Sequence, residues 1–290
     1  MKKFLKKLYK TIPFKQQIFS FIKRVVRVPH RIHKHLYFDG IISFNLNGKK
    51  IKMNQKGYDV ENTLFWGGIK GCWEKVSIDL WVKLSKQAST ILDVGANTGA
   101  YALVAKTANS QANVYAFEPL DFIFKKLVDN TSLNELDIKC LPFALSDFDG
   151  DAKVYPESLD HLYSVTVNKN LSPSVNQTFE IEIRARRLST MIDEQRIPKI
   201  DLMKIDVELH EAEVLQGMGV YLNKWKPDIL IEILTDEVGQ RVEELVRHLG
   251  YLYFNIDEGG SIKQVEKIGK SDYYNYLLCS VANAKYLQLI

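Results

Sequence analysis

The residues best suited to binding a small molecule form a glycine-rich segment, Asp93-Val-Gly95-Ala-Asn97-Thr-Gly99. The apolar residues Ile91, Leu92 and Val94 are typical of a buried parallel strand, and a helical pattern resumes after the turn. A strand, a glycine turn and a helix in this order form the nucleotide-binding corner of a doubly wound α/β sheet. Glycines allow a ligand to approach the backbone, and the start of the helix offers free N–H groups.

The spacing within this turn indicates which ligand it would hold. Dinucleotide-binding turns follow G-x-G-x-x-G, whose second glycine makes room for a pyrophosphate, but this chain has Asn97 at that position. Asp93 would repel a pyrophosphate, whereas it would suit a cationic ligand with an amino group and a sulfonium centre. S-adenosylmethionine has both features, and D-x-G-x-x-x-G resembles the first motif of Rossmann-like methyltransferases. An ordinary strand–turn–helix without a ligand is the alternative interpretation.

Two more acids follow the next strands. Glu118 comes directly after the predicted strand Asn113–Phe117, about 20 residues beyond the turn, where a carboxylate can bind both hydroxyls of a ribose. Because that contact serves NAD and S-adenosylmethionine alike, Glu118 predicts a nucleoside without choosing between them. Asp147 lies just past the third predicted strand, where it is placed to receive an adenine amino group. Capping of a turn is an equally good interpretation of Asp147.

A third group of chemically active side chains, Asp206, Glu208 and His210, lies near the end of the predicted strand Leu202–Glu208. Ligands of open α/β sheets bind beyond the carboxyl ends of strands, so we expect these three residues to converge. His210 is the first candidate for a general base because its reference pKa is near neutrality. Asp206 or Glu208 would orient it or bind an acceptor. A structural histidine at the start of a helix is the alternative.

No cysteine or histidine spacing in the sequence is typical of a zinc site. We therefore predict that no metal takes part, with a carboxylate-bound Mg²⁺ as the alternative. The three cysteines are odd in number and far apart, which favours a reducing compartment over a disulfide framework.

These side chains require an α/β fold to bring them together. The sequence predicts a mostly parallel sheet with helices on both faces and an antiparallel edge strand at Tyr273–Val281. The other predicted strands of the sheet are Ile91–Val94, Asn113–Phe117, Ile138–Leu141, Leu202–Glu208, Asp228–Ile233 and Tyr251–Ile256.

The pattern divides the chain into a basic tail at residues 1–39 and an α/β domain at residues 40–290. Residues 40–89 are expected to form a hairpin, with its turn at Asn47-Gly48, followed by helical elements. Residues 151–185 interrupt the α/β rhythm and predict a β insertion, which would either hold an acceptor or decorate the fold.

Charge is distributed unevenly along the chain. Eleven of the 39 basic residues precede Asp39 without a single acid, and the remaining 28 basic and 35 acidic residues leave the body at about −7. Residues 1–38 read as two amphipathic helices, which favours an anionic membrane surface as partner. Packing on the domain is the plainer alternative, and nucleic acid is the least favoured. We expect a cytoplasmic protein, peripheral on the inner face of the cytoplasmic membrane.

The combined motifs resemble those of the FkbM family of S-adenosylmethionine-dependent methyltransferases. They are Asp93-x-Gly95-x-Asn97-x-Gly99, Phe117-Glu118-Pro119, Lys204-Ile-Asp-Val-Glu208 and His210-Glu211, in the family's order over about residues 60–235. The resemblance implies a Rossmann-like class I methyltransferase that O-methylates a sugar, polysaccharide, glycolipid or natural product. It implies that Asp93, Gly95, Asn97, Gly99 and Glu118 hold the cofactor and that Asp206, Glu208 and His210 face the acceptor.

One residue departs from the family pattern, because Leu209 stands where the family usually has glycine. If that glycine has a positive φ, leucine is strained there; if it only permits close packing, Leu209 narrows the acceptor pocket. Two other functions remain as alternatives. An NAD(P)-dependent oxidoreductase on the same fold is disfavoured by Asp93 and Asn97. A non-catalytic membrane-associated adaptor is disfavoured by the intact cofactor residues.

Overall fold

The computed structural model describes residues 9, 12–156, 165–166 and 180–290 of the 290-residue chain. Its two compact units are Met1–Lys75 and Val76–Ile290. The amphipathic helix predicted before Pro13 and most of the predicted acceptor-holding segment His161–Asn170 lie outside the described residues.

The first unit contains a β-hairpin and short helices. The hairpin pairs β1 (Gly40–Leu46) with β2 (Lys49–Gln55) through the predicted Asn47-Gly48 turn, where both residues have positive φ. Its described helices are α1 (Lys15–Val25), α2 (His30–His33) and α3 (Asp59–Gly67), followed by a 3₁₀ turn at Ile69–Gly71. The hairpin packs against α3, so the compact unit extends to Lys75, whereas the sequence placed the boundary after residue 39.

The second unit contains an eight-stranded sheet in the order β13-β12-β14-β11-β10-β3-β4-β5. The pairs β11–β10, β10–β3, β3–β4 and β4–β5 are parallel, and the pairs that involve β13 or β14 are antiparallel. This mixed, mostly parallel sheet confirms the predicted fold class. The strands are β3 (Thr90–Val94), β4 (Asn113–Phe117), β5 (Ile138–Leu141), β10 (Leu202–Ile205), β11 (Asp228–Glu232), β12 (Leu252–Ile256), β13 (Ile262–Val265) and β14 (Asn275–Cys279).

The predicted edge position of the last strand is wrong. β14 is antiparallel, as expected, but it lies between β11 and β12, and each of its five residues is buried. The edge belongs to β13, whose Lys263 and Gln264 are exposed. An apolar run such as Tyr276–Cys279 suits a strand that is covered on both faces, while polar residues protect a sheet edge.

Eight helices described in the second unit surround this sheet. On one face, Leu92, Val94 and Phe117 share a core with residues of the helices that follow β9, β10 and β11. Ile91 alternates with Leu92 along β3, so it faces the opposite side of the sheet. The helices are α4 (Lys75–Ser85, apart from its first residue), α5 (Ala100–Ala108), α6 (Asp121–Leu133), α7 (Leu188–Gln195), α8 (Glu211–Gly217), α9 (Val220–Trp225), α10 (Asp236–Val246) and α11 (Val281–Tyr286).

A smaller sheet interrupts the α/β alternation, in the order β6-β9-β7-β8. It comprises β6 (Ala144–Ser146), β7 (Gly150–Pro156), β8 (Val165–Thr166) and β9 (Ile181–Arg187), and β7 pairs with β9 in antiparallel register. Among the described residues, no helix combines the length and apolar character needed to cross a bilayer.

Candidate active site

The glycine turn after β3 is tied to the neighbouring strand by its backbone. The N–H groups of Gly95 and Ala96 both donate to the carbonyl of Phe117, at 3.1 and 2.8 Å. Gly95 has a φ of 78°, and a Cβ built there would lie 1.8 Å from the carbonyl oxygen of Asp206. Glycine is therefore required here both by the backbone conformation and by the close approach of the segment after β10.

The end of the turn positions the start of α5. Gly99 has a φ of 94°, and a Cβ there would meet Leu127 of α6 at 2.6 Å. Asn97 adopts the left-handed conformation with a φ of 51°, which asparagine tolerates better than most residues. Asp93 is buried, and its Oδ2 accepts the N–H of Ala102 in the first turn of α5 at 2.8 Å.

Glu118 links the glycine turn to β4. Its Oε2 accepts the N–H of Asn97 at 3.1 Å and its Oε1 accepts the N–H of Leu120 at 2.9 Å. The pKa of this carboxyl is raised to about 7, mainly by burial and also by the nearby charges of Asp93 and Asp206. The structure thus brings Glu118 and Asn97 into contact and places both beside a region of negative potential.

A cluster of three carboxylates lies at the carboxyl ends of β10 and β11. One oxygen each of Asp206, Glu208 and Glu232 lies within 4.8 Å of the others, and all three side chains are half-buried. Asp206 Oδ2 accepts a hydrogen bond from Lys204 Nζ at 2.7 Å, and the Lys204 side chain is only 6% exposed. We refer to Asp206, Glu208 and Glu232 as the acidic cluster. Its three carboxylate oxygens can accept hydrogen bonds from sugar hydroxyls or ligate Mg²⁺.

The backbone conformation of the segment after β10 shows what leucine at position 209 does to the structure. Glu208 and Leu209 both lie in the left-handed region, with φ values of 53° and 74°. Leu209 is therefore strained at a position that favours glycine, as the first of the two interpretations expected. Such a segment aims the Glu208 carboxyl at its neighbours at a cost in conformational energy.

We expect Leu209→Gly to have a larger free energy of unfolding than Leu209→Ala, by about 1 kcal/mol. Both variants lose the leucine side chain, which packs partly against the core, but only glycine relieves the positive φ. Urea denaturation of the two proteins measures the difference. A larger free energy of unfolding for Leu209→Ala than for Leu209→Gly, as is usual in helix interiors, would show that this backbone is not held in the left-handed region.

His210 lies in a buried network at the start of α8. Its Nε2 is 2.9 Å from Ser146 Oγ, its Nδ1 is 3.7 Å from Glu213 Oε2, and Glu213 pairs with Arg241 at 2.7 Å. Burial lowers the pKa of this imidazole, which is only 5% exposed. Both ring nitrogens face protein groups, so the geometry gives His210 a structural place rather than an open path to an acceptor.

Asp147 joins the same network. Its Oδ1 accepts a hydrogen bond from Ser146 Oγ at 3.2 Å, and its negative charge acts to raise the pKa of His210. The structure thus connects Asp147 with His210 through Ser146, and its predicted contact with an adenine stays a prediction.

Comparison with known proteins now decides the family. The model of the methyltransferase FkbM domain matches residues 93–253, which is more than half of the chain and includes the glycine turn and the acidic cluster. The chain belongs to the FkbM methyltransferase family. Membership makes it a methyltransferase that uses S-adenosylmethionine, as the resemblance implied.

Three curated relatives of this FkbM-family chain are similar at moderate identity. Methyltransferase sdnD of Sordaria araneosa is 29% identical, over 51% of this chain and 72% of that protein. Hexuronic acid methyltransferase AglP of Haloferax volcanii is 29% identical, over 50% of this chain and 56% of that protein. The 31-O-demethyl-FK506 methyltransferase FkbM of Streptomyces tacrolimicus is 31% identical, over 46% of this chain and 60% of that protein. The chain thus spans less than two thirds of the last two relatives.

Sequence reasoning missed two members of the FkbM-family site. Glu232 ends β11, and the register that pairs Ile205 with Ile231 places it next to Asp206. Lys204 precedes Asp206 by two residues, so the strand period puts both on one face, where they pair. Both signals were present in the sequence, since adjacent parallel strands end at the same edge of a sheet.

Glu211 is expected to make the stability of the FkbM-family domain depend on pH. The carboxyl is fully buried, accepts the Val207 N–H at 3.3 Å, and has a pKa raised to about 8 by burial and by Asp206 and Glu208. Because the folded state binds this proton more tightly than the unfolded state, the free energy of unfolding is expected to fall as pH rises from about 4.5 to 8.

Glu211→Gln is the matching variant, since glutamine resembles the protonated acid in shape and cannot ionise. We expect it to match the wild type near pH 5 and to exceed it at pH 9 by on the order of 3 kcal/mol. Chemical denaturation at both pH values checks this. Equal stability of the two proteins at pH 9 would contradict a raised pKa for Glu211.

Proposed function

We propose that this protein transfers the methyl group of S-adenosylmethionine to a hydroxyl of a saccharide or a related natural product. The observation that carries this proposal is the acidic cluster, which stands beside the glycine turn. Contact between the two is direct, because the carbonyl of Asp206 occupies the space that a Cβ of Gly95 would need. Carboxylate oxygens accept hydrogen bonds from sugar hydroxyls, and one of them can also take a proton.

The residues around the glycine turn suit the cofactor. The pKa of Glu118 is raised by burial and also by the charges of Asp93 and Asp206, and the negative potential of these charges favours a sulfonium cation. Glu118, Asn97 and the glycine turn would hold the nucleoside end. When bound, the cofactor supplies an electrophilic methyl group whose leaving sulfur needs no protonation.

The acceptor side must align and deprotonate a hydroxyl. Alignment about 3 Å from the methyl carbon supplies much of the rate through proximity, and a base contributes typically 10²–10⁴-fold. Asp206 fits the role of base better than His210, because it is half-buried at the cluster while the ring nitrogens of His210 face Ser146 and Glu213. Lys204 fixes the Asp206 carboxylate at 2.7 Å, and Glu208 and Glu232 would hold neighbouring hydroxyls.

The names of the relatives support an oxygen acceptor. AglP is named for a hexuronic acid and the Streptomyces relative for 31-O-demethyl-FK506. Three carboxylates would repel an anionic substituent, so we propose that a neutral polyol part of the acceptor meets the acidic cluster. A saccharide of a cell-surface polysaccharide or glycolipid fits this requirement.

The first experiment is a parallel calorimetric titration with S-adenosylmethionine, S-adenosylhomocysteine and NAD. We expect micromolar binding of the first two and its loss in Asp93→Ala and Glu118→Ala. A panel of mono- and oligosaccharides with radiolabelled methyl donor then identifies the acceptor. Binding of NAD alone would overturn the proposal in favour of hydride chemistry, and binding of none of the three would favour the adaptor.

We also propose that the first unit places the enzyme on an anionic membrane surface. Phe14, Phe21 and Val25 are 73, 67 and 66% exposed on one basic segment that lacks acids. Exposed apolar side chains among lysines and arginines suit the interface of an anionic bilayer. This would place the protein on the inner, cytoplasmic face of the membrane.

Vesicle sedimentation tests the membrane proposal. Phe14→Ser with Phe21→Ser is expected to reduce binding to phosphatidylglycerol-containing vesicles at least tenfold. Val220→Ser is the matched control, since Val220 is 75% exposed and lies in the second unit. Undiminished binding of the double variant would overturn the membrane assignment and leave cofactor binding untouched.

A further inference from the structure

The first unit contains a cavity of about 670 Å³ that none of the motifs of the methyltransferase domain explains. Its walls come from the end of α1, the segment that leads into α2, the end of α3 and the 3₁₀ turn. The residues that line it are Lys23–His30, His33, Trp66, Gly67, Lys70 and Gly71. The cavity lies wholly within the unit Met1–Lys75.

The lining is strongly cationic. Lys23, Arg24, Arg27 and Lys70 contribute four positive charges, and none of the lining residues is acidic. Within the part of the chain that the structure describes, Arg24, Arg27 and Lys70 form no ion pair with a carboxylate. Their charges are therefore available to an anion that enters the cavity.

A buried polar side chain in the cavity wall also points to a ligand. His33 is only 8% exposed, and its Nδ1 is buried without a hydrogen-bond partner in the structure. Buried polar atoms of this kind usually have a partner, and a ligand would supply one. The imidazole stacks on Trp66, with ring centroids 5.7 Å apart and planes 19° from parallel.

Hydrogen bonds hold two residues of the cavity wall, His33 and Lys23, in place. The carbonyl of His33 accepts a hydrogen bond from Asn62 Nδ2 at 2.8 Å, and Asn62 is itself bonded to Gln55 of the hairpin. Lys23 is fixed through its Nζ, which donates to the carbonyl of Phe65 at 2.5 Å and lies 4.4 Å from the centre of that ring. These contacts hold the backbone of His33 and the side chain of Lys23 in place.

We propose that this cavity binds a phosphate group, carried by a lipid headgroup or by a soluble phosphate ester. The two guanidinium groups of Arg24 and Arg27 and the ammonium group of Lys70 match the charge and the three or four acceptor oxygens of a phosphate. Val25 and Val26 line the same cavity and are 66 and 57% exposed, so an apolar part of the ligand would find contacts at the rim. The proposal is independent of the methyl transfer chemistry in the second unit.

Paired charge-removal variants of the full chain test the proposal. Arg24→Gln with Lys70→Gln removes two charges from the cavity lining, and Arg31→Gln with Lys34→Gln removes two exposed charges outside it. Each protein is titrated with inorganic pyrophosphate and sedimented with vesicles of phosphatidylcholine containing phosphatidylglycerol. Calorimetry with S-adenosylmethionine shows whether the second unit of each variant is intact, since a failure of cofactor binding there is separate from a failure of this proposal.

We expect the cavity variant to bind pyrophosphate at least tenfold more weakly than the wild type, while the outside variant is unchanged. If the cavity variant also loses vesicle binding, the phosphate belongs to a lipid headgroup; if only pyrophosphate binding falls, it belongs to a soluble ester. Equal losses of pyrophosphate affinity in the two variants, or no pyrophosphate binding by the wild type, would overturn the proposal. The first result would mean that any binding depends on general surface charge, and the second that the cavity does not bind a phosphate group.

Discussion

Replacing Gly95 with alanine is expected to lower the free energy of unfolding by about 3 kcal/mol or more and to abolish binding of S-adenosylmethionine. Two penalties add at this position. The backbone has a φ of 78°, which alanine adopts at a cost, and the new Cβ would lie 1.8 Å from the carbonyl oxygen of Asp206. Because that oxygen belongs to backbone, the glycine turn and the segment after β10 must separate, and cofactor and acceptor residues would both be displaced.

Gly250→Ala is the matched control for this prediction. Gly250 has a φ of 79°, nearly identical to that of Gly95, but a Cβ there would meet no atom within 4 Å. We expect this variant to lose only about 1 kcal/mol and to keep full cofactor affinity. Chemical denaturation and calorimetry compare the two proteins. If both lose the same stability, the close approach to Asp206 contributes nothing.

Asp206→Asn is expected to reduce kcat by 10²–10⁴-fold. Its affinity for S-adenosylmethionine should fall much less than its kcat, because Asp93 keeps its charge. The substitution keeps the shape of the side chain and removes its ability to take a proton from the acceptor. His210→Gln is expected to act mainly on stability, because the imidazole lies in the buried network with Ser146 and Glu213. Initial rates with the identified acceptor, and calorimetry with S-adenosylmethionine, separate the two roles.

Two controls sharpen this prediction. Asp129→Asn removes an exposed carboxylate of α6 that forms only a 3.5 Å surface pair with Lys125, and its kcat should equal that of the wild type. Rates measured with EDTA and with added Mg²⁺ test whether the acidic cluster acts through a metal, which the sequence did not predict. Full activity of Asp206→Asn, with a large loss in His210→Gln, would return the role of base to His210.

Local sequence patterns predicted those features that neighbouring residues determine. The Asn47-Gly48 turn formed as expected because few residues other than asparagine and glycine accept two successive positive φ values. Gly95 and Gly99 marked the turn for the same reason, since a strand followed by such a turn and a helix has few other geometries. Glu118 met Asn97 because adjacent parallel strands end at the same edge of the sheet.

The tertiary structure decided the features that depend on which distant elements become neighbours. The order of the strands placed β14 inside the sheet and β13 at its edge, and no local pattern along the chain specifies that order. The Nε2 of His210 meets Ser146 only because β6 packs against α8, so a reactive residue type became a buried one. The sequence by itself determined the residue types and backbone conformations of the site, whereas long-range packing decided which side chains face a ligand.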